Sequence, residues 1–326
     1  MKNLAPGLAV CAVAASIAVL VNQWLPVLSA LLVAIVLGML VGNLAPMPEP
    51  MDPGVKFAAK RLLRAGVVLL GLQVSLGDIL GLGWGMVGVV FAVVGITFAL
   101  TMALGRLLRL PLPVTLLVAS GFSICGAAAV AACDGVIDAE DEDVASALAQ
   151  VVLFGTLMIA VIPLLSGLIG LTEHQAGLWA GASIHEVAQV VAAAGIIGSS
   201  ALAVAVIVKL ARVVLLAPVM AVLSTWQRRR QAESGAGGAR PPIVPLFVVG
   251  FLAAVALASL RIVPAEIMAV LKILQTFLLS AAMFALGTGV NVRKLLGMGG
   301  RPIALGAGAT VIVTLVGLGG VLLVTS

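Results

Sequence analysis

The chain has no tyrosine, only 4% aromatic residues and only 10% charged residues among its 326 positions. A soluble domain carries about 25% charged residues. So little charge excludes a soluble enzyme, and a 62% apolar fraction excludes a disordered chain. The three cysteines, Cys11, Cys125 and Cys133, are too few for a disulfide scaffold and lack metal-ligand spacing. No G-x-x-x-x-G-K-[ST] run occurs, which argues against ATP-driven pumping by this chain alone.

What the sequence does have is long apolar runs. They fall at 4–22, 26–44, 62–79, 84–105, 112–133, 144–170, 175–195, 198–224, 243–260, 265–289 and 302–324. One bilayer crossing takes about 20 residues, so eleven helices use roughly 220 and leave short loops. The expected fold class is therefore an all-α polytopic membrane protein of about 11 transmembrane helices, a single transport domain over 1–326. Met1-Lys2 and the run behind it read as an uncleaved first span. The run 225–242, TWQRRRQAESGAGGARPP, is polar and glycine-rich and reads as a linker; 45–61, with four prolines, is the other long loop.

Basic residues test this count. With the N-terminus in the cytoplasm, 14 of the 18 fall on that side: Lys2, Lys56, Lys60, Arg61, Arg64, Arg106, Arg109, Arg228, Arg229, Arg230, Arg240, Arg293, Lys294 and Arg301. Only Arg261 falls outside, and Lys209, Arg212 and Lys272 lie within spans. The net charge of +5 thus marks cytoplasmic loops, not nucleic-acid binding. The acidic cluster Asp138, Glu140, Asp141, Glu142 and Asp143 falls outside on this count, as a solvated loop before the sixth span. The C-terminus ends outside.

Residues 26–83 align without a gap onto 242–299; within 62–83 and 278–299, nine of 22 positions are identical. About two would be expected by chance, so the match marks a duplicated unit, with 26–105 echoed by 242–324. The copies are an odd number of spans apart and so lie in opposite orientations, the inverted-topology repeat of transporters. A fainter echo links Ser123-Ile124 with Ser183-Ile184, but those two spans have the wrong parity for inversion.

The central region 112–224 carries the candidate chemistry. In the fifth span, Gly121, Ser123 and Gly126 allow either close helix packing or a break over 120–126. A break would expose a helix N-terminus at mid-membrane, which suits an anion. Cys125 reads as a small packing residue, since no base is evident near it. In the seventh span, Ser183-x-x-Glu186 matches a capping box and predicts a half-helix over 184–195. Glu186 is then a cap partner, and His185 and Gln189 share a helix face. A buried histidine is often a satisfied structural group, but in a membrane interior it points to function, as a donor to substrate or a titrating group. In the eighth span, Lys209 and Arg212 lie three apart and far from other charges. They form either a structural ion pair with Glu186 or Asp134, or an anion site in which guanidinium offers a fork and ammonium a point charge. The candidate substrate-binding set is Ser123, Cys125, Gly126, Ser183, His185, Glu186, Gln189, Lys209 and Arg212. No catalytic residue and no metal site are expected.

The segments ICGAAAVAA, DVASALAQVVLFGT, SIHEVAQVVAAAG, VKLARVVLLAPV and AMFALGTGVNVRKLLGMGGRPIALG resemble the bacterial YeiH-type sulfate-exporter family, from about residue 26 onward. Glu186 stands where that family usually has Asp, and Ala127 or Ala128 where it has Ser. The resemblance implies inverted repeats and crossing broken helices, in a fold similar to the sodium/proton antiporters and bile-acid symporters. The leading expectation is a secondary transporter of the bacterial inner membrane. It would export a small anion such as sulfate or an organic sulfonate, coupled to H+ or Na+ and with no cofactor. Its expected partners are that anion and the lipid bilayer, a homodimer is an assembly open to it, and nucleic acid is not a partner. The alternatives are a cation/proton antiporter on a similar scaffold, which Lys209 and Arg212 would oppose, and an anion channel. No nucleophile–base pair supports an enzyme.

Overall fold

The computed structural model describes residues 4–25, 30–45, 47–137, 139–233, 246–289 and 299–325. Among them every regular element is helical. In chain order they are α1 (Ala5–Trp24), α2 (Ala30–Leu44), α3 (Asp52–Phe57), a π-helical turn (Ala58–Leu62) that runs on into α4 (Leu63–Gly71), α5 (Leu76–Gly81), α6 (Trp84–Leu107), α7 (Leu112–Ser123), α8 (Ala127–Ile137), α9 (Asp141–Leu168), α10 (Glu173–Ser183), α11 (Val187–Ile197), α12 (Ser199–Val214), α13 (Leu216–Glu233), α14 (Leu246–Ser259), α15 (Ala265–Thr288) and α16 (Gly300–Thr325). Among the described residues six stretches are long and apolar enough to cross a bilayer: α1, α6, most of α9, α12 together with α13, α15 and α16. In lipid, helices satisfy their own backbone groups, which is why an apolar chain takes this form.

The chain forms two compact units. The first comprises residues 1–75 and 254–299. Its third helix starts at Asp52, ten residues before the apolar run that predicted it, because Pro53 suits a first turn and Lys56 pairs with Asp52 at 3.0 Å. Glycines set its packing. A Cβ at Gly38 or Gly42 of α2 would strike the backbone of α15 at Phe284 or Thr288, and one at Gly287 would strike α2 at Ile35. Such close approach is the usual way for small residues to hold membrane helices together. The Gln73 side-chain amide donates to Gln275 Oε1, fastening the chain after α4 to α15.

The second unit comprises residues 76–253 and 300–326 and carries every candidate site residue. Within it α6 and α16 run antiparallel: a Cβ at Gly85 would meet Val324, one at Gly320 would meet Val89, and one at Gly308 would meet Leu104. After α6 ends, Thr115 of α7 lies against Gly105, so α7 begins beside the N-terminal end of α16. From the opposite end, Gln175 of α10 donates to Thr325 Oγ1 at 3.0 Å, while Trp179 Nε1 donates to Thr314 O at 2.9 Å. Thus α10 begins beside the C-terminal end of α16 and runs inward.

Both interrupted segments then turn back. Across the break between α7 and α8, Gly121 faces Val130. Across the break between α10 and α11, Glu173 Oε1 accepts from the backbone N–H groups of Ser200 at 2.8 Å and Ala201 at 3.3 Å. The residue that opens α10 is therefore adjacent to the start of α12, just after α11 has ended. Arms of 11 and 12 residues measure about 17 Å, short of the roughly 30 Å that a crossing needs. The runs at 112–133 and 175–195, expected as spans, each fold into a helical hairpin, and the two enter from opposite ends of the unit. The echo between Ser123-Ile124 and Ser183-Ile184 thus joins two tips of opposite entry, and the parity objection to it falls. Residues 139–143, expected on the far side from 108–111, share the same end with them.

Part of the sequence repeat lies outside the described residues, at 26–29, 242–245 and 290–298. So do Lys2, Asp138, Arg240, Arg293 and Lys294, and the linker from 234 onward.

Candidate functional site

The two hairpin tips meet around α12. The first tip is Ile124-Cys125-Gly126. Gly126 has φ +76°, and a Cβ there would come within 2.5 Å of Glu186 Cγ, so only glycine fits the turn and the contact. The second tip is Ile184-His185-Glu186, an extended connection.

Each tip presents a helix C-terminus, with unpaired carbonyls, and a helix N-terminus, with unpaired N–H groups. Lys209 and Arg212 of α12 occupy the carbonyl side. Lys209 Nζ donates to Ile124 O at 2.9 Å and to Ile184 O at 2.8 Å, one carbonyl from each tip. Arg212 uses all three nitrogens: Nε donates to Ser123 O at 3.2 Å, Nη1 to Ala182 O at 2.6 Å and Ile184 O at 3.2 Å, and Nη2 to Phe122 O at 3.0 Å and Ser123 O at 2.8 Å. Both cations are fully buried. They lie three residues apart on one helix face, as their spacing predicted, and they cap the ends of α7 and α10.

Glu186 occupies the N–H side. It is the N-cap residue of α11, its backbone N–H donates to Gln189 Oε1 at 3.2 Å, and its own Oε1 accepts from the N–H of Ala127, the first residue of α8, at 3.2 Å. This overturns the expected cap. Ser183 ends α10 rather than opening a helix, and Glu186 is the cap rather than its partner. His185 therefore precedes α11 and does not share a helix face with Gln189. The ion pair, the alternative to an anion site for these two residues, does not form: among the described residues neither cation lies on a carboxylate, because carbonyls take their donors.

The charges do not balance. Each helix end carries about half an elementary charge. Two C-termini near −1 in sum face Lys209 and Arg212 at +2, while two N-termini near +1 in sum face Glu186 at −1. With all three side chains ionised, an excess of about one positive charge remains. The N–H side is the open one: Ala128, Glu186, Val187 and Ala188 are partly exposed, while Ser123, His185, Lys209 and Arg212 are fully buried. Cys125 is buried at the first tip, a free thiol.

Two polar groups here, Thr310 and Gln150, were not singled out from sequence. His185 Nε2 lies 3.2 Å from Thr310 Oγ1 of α16, and its ring stacks at a tilt on Phe122, centroids 4.4 Å apart. Gln150 of α9 is buried and packs against Gly306 of α16. Thr310 and Gln150 are polar residues within apolar spans, which is the signal that could have found them. Ser183 Oγ, His185 Nδ1, Gln189 Nε2 and Gln150 Oε1 are buried without a hydrogen-bond partner.

Helical hairpins entering from two ends and buried charges at their tips define an all-helical, multi-pass membrane protein. The chain matches the family model described as Conserved hypothetical protein 698 over residues 6–306. It is 50% identical over 323 residues to a UPF0324 membrane protein of Corynebacterium glutamicum, covering 99% of this chain and 93% of that one. A UPF0324 membrane protein of Pseudomonas aeruginosa is 42% identical, with 94% and 90% covered, and one of Brucella melitensis 36%, with 92% and 85% covered. The chain belongs to this family, the YeiH-like membrane proteins. No solved structure matches it, so the likeness to antiporters and bile-acid symporters remains an implication of the resemblance alone.

Proposed function

We propose that this protein is a secondary transporter of the bacterial inner membrane that moves a small anion by alternating access. The observation that carries the reading is the placing of two buried basic side chains and a single carboxylate where the two hairpin tips meet. A small anion on the open side, at the first turns of α8 and α11, would neutralise the excess positive charge and accept from N–H groups that the helices leave free. Hairpins entering from opposite ends give the site a gate toward each side. Lys209 and Arg212 act in this reading by holding the tips together and supplying the field, while Glu186 shares the N–H side with the substrate and couples its occupancy to H+ or Na+.

The topology that goes with it has nine crossings and two re-entrant hairpins. The crossings are the six long apolar stretches together with α2, α3–α4 and α14. The odd total keeps the N-terminus inside and the C-terminus outside, and 26–105 and 242–324 stay inverted relative to each other. A cation/proton antiporter would have to place its cation beside the excess positive charge.

Uptake into proteoliposomes across a panel of labelled anions, with and without imposed proton and sodium gradients, tests the reading. Gradient-dependent flux of a small anion, lost in Glu186→Gln or Gly126→Ala protein that still folds, is the expected result. Flux of cations alone would overturn it.

A further inference from the structure

The second hairpin tip contains a ring nitrogen whose chemical character its neighbours decide. Thr310 Oγ1 donates to Gly306 O, one turn back along α16, at 2.8 Å. It also lies 3.2 Å from His185 Nε2. A hydroxyl has one hydrogen, and the shorter bond commits it to the carbonyl. Thr310 can then only accept from the imidazole, so Nε2 carries the hydrogen. In the neutral ring Nδ1 is left as a bare acceptor. It is fully buried and has no partner. Phe122 packs against one face of the ring, tilted, with centroids 4.4 Å apart.

Two more unpartnered atoms lie along the same stripe of α16. Gln150 Oε1, a second obligate acceptor, sits against Gly306, one turn from Thr310. Ser183 Oγ, two residues before His185, sits against Gly317. Spacings of four and seven place Gly306, Thr310 and Gly317 on one face of α16, but Gly306 and Gly317 are about 16 Å apart along it, too far for one small anion to reach both neighbours. On the N–H side the surplus is of donors, the first-turn N–H groups that the helices leave free; the unpartnered Gln189 Nε2 lies against Gly155 of α9. The second tip therefore offers donors, at the first turn of α11, and one acceptor, His185 Nδ1, one residue before the N-cap. A sulfate dianion has only acceptors and would leave Nδ1 unmet, which a buried site discriminates against strongly.

We infer that the transported species is a small anion that carries its own O–H or N–H donor, and that His185 Nδ1 accepts from it. Thr310 acts as the positioning residue that fixes the tautomer. This rests on the anion-transport reading above and narrows its substrate to hydroxy- or amino-bearing anions.

The chain has two histidines, and His174 is exposed, so His174→Gln leaves His185 as the sole imidazole. Nitrogen NMR of that variant, histidine-labelled and held in lipid nanodiscs, reads each ring nitrogen directly. The expected spectrum has Nε2 protonated and Nδ1 neither protonated nor hydrogen-bonded. Two matched pairs are then titrated: 2-hydroxyethanesulfonate against ethanesulfonate, and hydroxyacetate against acetate. In at least one pair the hydroxylated member should bind about tenfold or more tightly and move the Nδ1 resonance, and its partner should not move it. In Thr310→Val protein the single tautomer should be lost.

Equal affinity within both pairs would overturn the inference and leave anion transport standing. An imidazolium ring, the other tautomer, or an Nδ1 already hydrogen-bonded without ligand would also overturn it. No binding of any panel anion, sulfate included, would remove the transport reading itself, and this inference with it.

Discussion

Glu186 Oε1 accepts the backbone N–H of Ala127 from 3.2 Å away. These residues are 59 apart in sequence, and the bond joins the N-terminus of α8 to the N-cap of α11 through a single carboxylate. On the opposite side Lys209 joins the carbonyl ends of the same two hairpins. Each tip is thus held twice, by one charge of each sign, and each charge faces the helix ends it suits.

Glu186→Gln keeps the shape and removes the charge from two helix N-termini. A carboxylate at one such end contributes up to about 2 kcal/mol in partly buried positions. Thermal unfolding in detergent should show a loss of about 1–3 kcal/mol, with Glu186→Ala costing more because the Ala127 N–H loses its acceptor. Unchanged melting in both variants would show that the carboxylate does not hold the tips.

Arg212→Gln should destabilise the fold by about 3 kcal/mol or more, the scale on which broken buried charge contacts fall. Arg212→Lys should recover little, because one ammonium cannot reach the carbonyls that three guanidinium nitrogens now serve. Adding Glu186→Gln should not rescue Arg212→Gln, since no ion pair joins the two residues. A double variant as stable as wild type would restore the ion-pair reading.

Gly126→Ala introduces a side chain at φ +76°, in contact with Glu186. The left-handed backbone alone costs about 1–2 kcal/mol, and the displaced carboxylate adds to it. The variant should melt earlier than Gly167→Ala, where a Cβ meets nothing within 4 Å. Equal melting points would contradict the tip geometry.

The hairpins separate two topologies by labelling. In a cysteine-free background, single cysteines replace Glu140, between α8 and α9, and His174, at the start of α10. Eleven crossings put position 140 outside and 174 inside. Hairpins put 140 inside and 174 outside. An impermeant thiol reagent added to whole cells should therefore label position 174 and not 140.

The sequence by itself determined the class of the protein. Composition and run length left only a helical membrane protein, because no other structure lets so apolar a chain satisfy its backbone in lipid. It also located both breaks, through the small residues around Ser123 and the polar group Ser183, His185 and Glu186, and it placed Lys209 and Arg212 on one face. These are local properties: periodicity, chain stiffness and the cost of charge in an apolar run are all set by neighbours in sequence.

The tertiary structure alone decided the rest. An interrupted apolar run of about 22 residues reads identically whether its second half continues or returns. What distinguishes them is Glu173 meeting Ser200, and Gly121 meeting Val130. Whether Lys209 and Arg212 face a carboxylate, an anion or a carbonyl depends equally on which ends are brought to them, and here two helix C-termini arrive first. Ser183-x-x-Glu186 satisfies the pattern of a cap, but the chain at Ser183 is still helical and the cap forms three residues later. His185 meets Thr310, 125 positions away, through Nε2. Hydrogen-bond partners and helix-end charges at this site are long-range in the chain and short-range in space, and only folding makes them neighbours.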